Sequence, residues 1–255
     1  MAQSNKLSKT ERREAARKEA KRLRKAQAAK EKRSRRILMV VVAAVLALII
    51  AAVVVIAIQA NRTLLSDFEG ATPAGSNLHG GIPVGADGAG STNEDAPELD
   101  VYVDFMCPHC GTFEQINGED LAQAATDGEV TVNYHPVSFL SEYSARAANA
   151  FAEVANSAPE SAMDFMNALF ANQPTEGGEG LTDQQIAEIA VESGVPQEVA
   201  DTLADGTYTE WVEVATEQAK RDGASSTPTV RLDGDDWGGN WNNPGELLAA
   251  IQEAG

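Results

Sequence analysis

The sequence predicts an α/β domain with a long helical stretch between its strands, preceded by a single transmembrane helix. Three observations carry this reading. Residues 37–58 run without a charge, a glycine or a proline. Downstream, a β-like run at Glu98–Phe105 leads to a helix-compatible stretch from Gly111 to about Thr126, and a second β-like run follows at Val130–Tyr134. Segments of helical pattern then fill most of residues 141–222, before a last β-like run at Thr229–Leu232.

The formal net charge of −18 hides two opposed parts. Residues 1–36 hold 15 lysines and arginines against four acids, a net of +11, while the remainder holds 34 acids against five bases, a net of −29. Such opposition predicts that the two parts occupy different surroundings. The basic segment 1–36 is rich in helix formers and is expected to lie in water or along a membrane surface. A basic run can also serve nucleic acid. Beside an apolar span it is better read as an orientation signal, and the acidic bulk argues against nucleic-acid partners.

The 22 residues of 37–58 make a helix of about 33 Å at 1.5 Å per residue, which matches a bilayer's hydrocarbon core. The lipid bilayer is therefore an expected partner, and the positive-inside rule places the N-terminus in the cytoplasm and the acidic part outside. The rival reading is a cleaved signal peptide, whose apolar region usually runs about 7–15 residues. Cleavage after Ala60 stays open.

Residues 59–95 scatter Gly75, Gly80, Gly81, Gly85, Gly88 and Gly90 among Pro, Ser, Asn and Ala, which predicts a flexible linker. His79 is expected to be an exposed linker histidine. The domain proper is expected over 96–255.

Within it, Cys107-Pro108-His109-Cys110 sits between the first strand and its helix. That position has a physical rationale. Unpaired N–H groups and the positive end of the helix dipole stabilise a thiolate at the first cysteine, and thiolate is the species that attacks disulfides. Pro108 suits the first helical turn. His109 adds positive character if it is protonated or donates toward sulfur. In the helix, Phe113, Ile116, Leu121 and Ala124 are expected to form the apolar face, with Gly118 as a weak point. His135-Pro136 is expected to end the second strand in a loop. The later helices are expected at Ser144–Asn156, Pro159–Ala171, Thr182–Ser193, Pro196–Leu203 and Thr207–Arg221, and a closing helix begins near Asn243.

Other uses of two cysteines fit less well. Structural zinc needs four ligands, and His79, His109 and His135 lack the spacing. Covalent haem attachment needs a histidine where Gly111 stands. A purely structural disulfide across two residues would stabilise little by chain entropy. No cofactor or metal is expected.

The stretch Phe105-Met106-Cys107-Pro108-His109-Cys110 resembles the active site of the DsbA-like branch of the thioredoxin superfamily. Ser226-Thr227-Pro228-Thr229-Val230 resembles the superfamily's cis-proline loop, which faces the CxxC. Cys110 and Pro228 lie 118 positions apart, and DsbA-like proteins carry a helical subdomain at this point. The resemblance therefore implies a thioredoxin fold with an inserted helical subdomain at about 141–222. It further implies a redox disulfide between Cys107 and Cys110, with Cys107 the exposed nucleophile and Cys110 its buried partner. Pro228 and Thr227 would meet an extended substrate.

The implied activity is thiol-disulfide exchange, donating disulfides to exported cysteine-containing proteins. A quinone-linked membrane oxidase of the DsbB or VKOR type is the implied redox partner. The alternatives are a reductase or isomerase, and a non-catalytic binding module with a structural Cys107–Cys110 bond. One position departs from the superfamily. Its frequent buried acid, six residues before the first cysteine, is here Val101. Asp104, three residues before Cys107, is the nearest acid, read either as a group that tunes the site or, more plainly, as an ordinary polar strand end.

Overall fold

Four of the six residues of Glu98–Val103 (Leu99, Val101, Tyr102 and Val103) are buried, with Leu99, Val101 and Val103 sharing one wholly apolar face, so this strand belongs in mid-sheet. In the computed structural model, which describes residues 9–60 and 62–255, the sheet is assembled around it. With β1 at Ile82–Gly85, β2 at Gly88–Ala89, β3 at Glu98–Val103, β4 at Thr131–Pro136, β5 at Thr229–Leu232 and β6 at Asp235–Asp236, the order is β2-β1-β4-β3-β5-β6. Only β3 and β4 are parallel. The helix α2 (Pro108–Thr126; α1 is the separate N-terminal helix described below) joins them, as a parallel pair requires. All other pairings are antiparallel.

Between β4 and β5 the chain forms α3 (Glu142–Ser157), α4 (Ala162–Ala171), α5 (Asp183–Glu192), α6 (Gln197–Ala200) and α7 (Thr209–Arg221). Their ends are set by local chemistry. Ser141 accepts from the Ser144 N–H to cap α3, and Thr182 and Gln185 form a capping box on α5. The expected helix at Pro159 opens as a 3₁₀ turn, Pro159–Ser161, because proline suits a first turn but leaves no N–H to continue a ladder. The last helix, α8, spans Glu246–Ala254. One continuous core joins the sheet to these helices, and Phe105 packs against Phe151 of α3 and Phe170 of α4, with ring centroids 5.9 and 5.0 Å apart.

Three expectations are corrected. The stretch read as a linker is folded from Thr63 onward: it forms a 3₁₀ turn at Leu64–Asp67 and then β1 and β2, within the compact unit Thr63–Gly255. Ile82 and Val84 are buried against β4, and Asn93 donates to the carbonyls of Ala125 and Val130. Its glycines serve close approaches rather than flexibility. Gly80, at φ +84°, leaves only 2.5 Å between a built Cβ and the Ala215 side chain.

The inward face of α2 is also different. Cys110, Phe113, Glu114, Asn117, Gly118 and Leu121 are buried, whereas Ile116 is half-buried. Gly118 causes no break, and a Cβ there would stand 2.8 Å from Glu114 Oε2. Finally, His135 lies inside β4 rather than in a loop. It is buried, stacks on Tyr102, and approaches Asp100 Oδ1 through Nε2 at 2.8 Å. His79 is exposed as expected, but its ring meets Asp222 at 2.8 Å.

The N-terminal helix α1 (Lys9–Ala60) is a unit by itself, continuous over 52 residues. The first eight residues of the basic segment lie outside the described residues. Among those described, α1 contains one stretch long and apolar enough to cross a membrane. Its large apolar side chains from Ile37 to Val54 are uncovered, Leu48 by 70%.

Candidate active site

The site forms where β3 stops. After Val103 the chain turns through Asp104, Phe105 and Met106 into Cys107, the N-cap residue of α2, with Pro108 at the first helical position. The Cys107 carbonyl accepts from the N–H groups of Cys110 at 3.0 Å and Gly111 at 3.3 Å. Both cysteines are free thiols in this structure, Cys107 6% exposed and Cys110 fully buried. Because β5 runs antiparallel beside β3, with Thr229 opposite Tyr102, the loop before β5 reaches the same end of the sheet. The Thr227 carbonyl lies 3.3 Å from Cys107 Sγ, and the Thr227–Pro228 peptide is cis. Two motifs 120 positions apart are thus in contact.

The two thiols are driven apart in acidity. Cys107 is lowered to about 5, chiefly by the hydrogen bond from the Cys110 thiol, with help from the Thr227 side chain and the N–H groups of Cys110 and His109; burial opposes this. The contact with the Thr227 carbonyl favours the protonated thiol, but the donors outweigh it. Burial pushes Cys110 well above the usual thiol range, and the hydrogen bond and charge of Cys107 add to the shift. Of the CxxC interior, Pro108 and His109 are exposed. Among the described residues the His109 ring has no hydrogen-bond partner; what His109 supplies to Cys107 is its backbone N–H.

Asp104 is not an ordinary polar strand end. It is fully buried, and its carboxylate accepts from Met106 N–H, Ser144 hydroxyl, Phe139 N–H and Leu140 N–H at 2.6–3.1 Å. Its own N–H points at Cys110 Sγ at 3.5 Å. Burial raises its carboxyl, against the pull of those hydrogen bonds. Two further residues escaped the sequence reading. Glu114, one turn beyond Cys110, is buried with both carboxylate oxygens lacking a partner among the described residues, and burial lifts it to about 8. The spacing Cys110, Phe113, Glu114, Asn117 contained that signal. Gln173, two residues past α4, donates to the carbonyls of Phe105 and Cys107 at 3.0 and 2.9 Å, and no local pattern announced it. Among the described residues, no group of three or more His, Cys, Asp or Glu could hold a metal ion.

Comparison with known proteins agrees with this geometry. The thioredoxin family model matches residues 90–253. The serine/threonine-protein kinase PknE of Mycobacterium tuberculosis is 28% identical over 160 residues, 59% of this chain but 26% of the kinase, so the chain spans about a quarter of that relative's length. Among solved structures, the disulfide bond oxidoreductase DsbG of M. tuberculosis is 31% identical with a TM-score of 0.59, over 68% of this chain and 86% of that one. DsbA of the same organism is 30% identical with a TM-score of 0.59, over 68% and 91%. With a CxxC at a helix N-terminus facing a cis-proline loop, and a family match over most of the folded unit, this chain belongs to the thioredoxin family, in the branch of the DsbA-like thiol-disulfide oxidoreductases.

Proposed function

We propose that this chain is a membrane-tethered, extracytoplasmic oxidoreductase that donates the Cys107–Cys110 disulfide to exported cysteine-containing proteins. The observation that carries the reading is the asymmetry of the two thiols. Cys107 lies at a helix N-terminus among converging donors, only 6% exposed and so less open than expected, while Cys110 is fully buried beneath it. A substrate thiolate attacks Cys107 Sγ of the oxidised form. The Cys107–Cys110 bond breaks, a substrate–Cys107 disulfide forms, and the Cys110 sulfur takes up a proton, as its burial demands. The substrate's second thiolate then attacks its own sulfur in the mixed disulfide and releases Cys107 as a thiolate. The donors that hold that thiolate stabilise the reduced enzyme, which makes its disulfide oxidising.

In this reading Thr227 and Pro228 meet the extended substrate beside the sulfurs, with the Thr227 backbone pairing to it. Pro108 and His109 form the exposed rim of the CxxC. A quinone-linked membrane oxidase of the DsbB or VKOR type would restore the disulfide. The tether is supported by the uncovered apolar side chains of α1 and the charge change across it.

The test is the reduction potential of the full chain in detergent, by equilibration against glutathione. The proposal expects a value toward the DsbA end of the scale, about −120 mV. A value near that of thioredoxin, about −270 mV, would make the chain a reductase instead.

A further inference from the structure

The segment after α4 does more than fill space beside the CxxC. Its Gln173 side chain lies across the turn that carries Cys107, with Nε2 donating to Phe105 O at 3.0 Å and to Cys107 O at 2.9 Å. Both partners are carbonyl oxygens, so only the amide nitrogen can face them, and its two hydrogens match the two acceptors. The other end of the amide lies over Gly111, where a side chain would crowd it: a Cβ built there would stand 3.0 Å from Gln173 Oε1. The glutamine is anchored in turn. Its N–H donates to Phe170 O at 3.2 Å, and the Phe170 ring stacks on Phe105. The helical region thus grips the residues before and at the nucleophile from one side.

The gripped peptide is the one that matters. The Cys107 carbonyl also receives the N–H groups of Cys110 and Gly111, so it starts the hydrogen-bond ladder of α2. Rotation about the Cys107 Cα–C bond swings that carbonyl and, with it, moves Cys107 Sγ relative to the helix N-terminus. A fixed carbonyl therefore fixes the direction of the Cys107 Cα–Cβ bond from which Sγ hangs.

We propose that Gln173 is a positioning residue for Cys107: its amide holds the Cys107–Pro108 peptide and so keeps Cys107 Sγ in line with the N–H groups of His109 and Cys110. The inference rests on Cys107 being the attacking sulfur. Through Gln173 the helical region sets the acidity of a thiol that lies outside it, in addition to whatever surface it offers a substrate.

The experiment is the pH profile of iodoacetamide alkylation of the reduced full chain in detergent, with the melting temperature recorded alongside. The chain has two cysteines, and the buried Cys110 stays protonated, so alkylation at acidic pH reports Cys107. Gln173→Met keeps the side-chain length and charge but removes both donors. Its alkylation midpoint is expected to rise by about half a unit or more, roughly a twofold loss of thiolate at the wild-type midpoint and roughly threefold well below it. Should that variant fail to fold, Gln173→Asn, an amide one methylene too short to reach both carbonyls, is expected to shift the midpoint the same way. A midpoint equal to wild type would overturn the proposal, as would a lowered melting temperature with an unmoved profile. Failure of the underlying reading looks different: the wild type itself would show no acidic thiol, or Cys107→Ser would retain it.

Discussion

Glu114 is the residue whose energetics can be read most directly. Without partners among the described residues, its buried carboxyl is held neutral, and its value of about 8 stands against the usual 4.5. The sign follows from proton binding. Between pH 4.5 and 8 the unfolded chain has released this proton and the folded one has kept it, so stability is full below 4.5 and falls as pH rises. At pH 7 the loss is on the order of 3 kcal/mol. Glu114→Gln should therefore melt higher than wild type at pH 7 and about equally at pH 4, as followed by circular dichroism across that range. Equal melting temperatures at pH 7 would mean that the carboxyl finds partners in solution. The cysteines illustrate the opposite use of environment, with donors lowering Cys107 while burial raises Cys110.

Among the elements, β1 shows how composition can mislead. A run of Gly, Pro, Ser and Asn reads as a linker, yet Ile82 and Val84 complete the sheet against β4, and Leu65 is buried in the same core. The Leu64 N–H also donates to Gln218 of α7 at 2.7 Å. A soluble domain begun at Ala96 would lose these contacts and uncover β4, whose own residues are all buried. We expect it to melt well below a domain begun at Thr63, or to aggregate through the bared strand, and urea unfolding of the two would measure the difference. A second join between elements is Asp104, whose carboxylate collects N–H groups from residues 139 and 140 and the Ser144 hydroxyl. It ties the end of β3 to the start of α3 beneath the cysteines.

At the scale of the whole molecule, the governing quantity is charge. Fifteen bases precede the apolar stretch and five follow it, against 34 acids. Keeping the Lys- and Arg-rich side of the apolar stretch in the cytoplasm is the direction the positive-inside rule favours, a rule set by Lys and Arg and hardly by acids. Protease added to spheroplasts should then remove an epitope placed after Gly255 and spare one placed at the N-terminus. Carbonate washing should leave the chain with the membranes; release into the wash would indicate a cleaved signal instead of an anchor.

The local features of this protein were legible in its sequence because each depends on neighbours along the chain. The uncharged run of 37–58, the helix start at Thr182 and the cysteine at the mouth of α2 all follow from spacing and capping, whereas α3, expected from Ser144, begins at Glu142 behind a Ser141 cap. The pairing of CxxC with Thr227-Pro228 came from resemblance to a family. Tertiary structure alone decided the rest. Antiparallel β5 brings Thr227 to within 3.3 Å of Cys107 Sγ, and the end of α4 delivers Gln173 onto the same turn. Burial turns Asp104 from a strand-end acid into a buried hub of hydrogen bonds. The physical reason is common to all three: desolvation and hydrogen bonding depend on which surfaces pack together, and residues more than 30 positions apart in sequence carry no local trace of that packing.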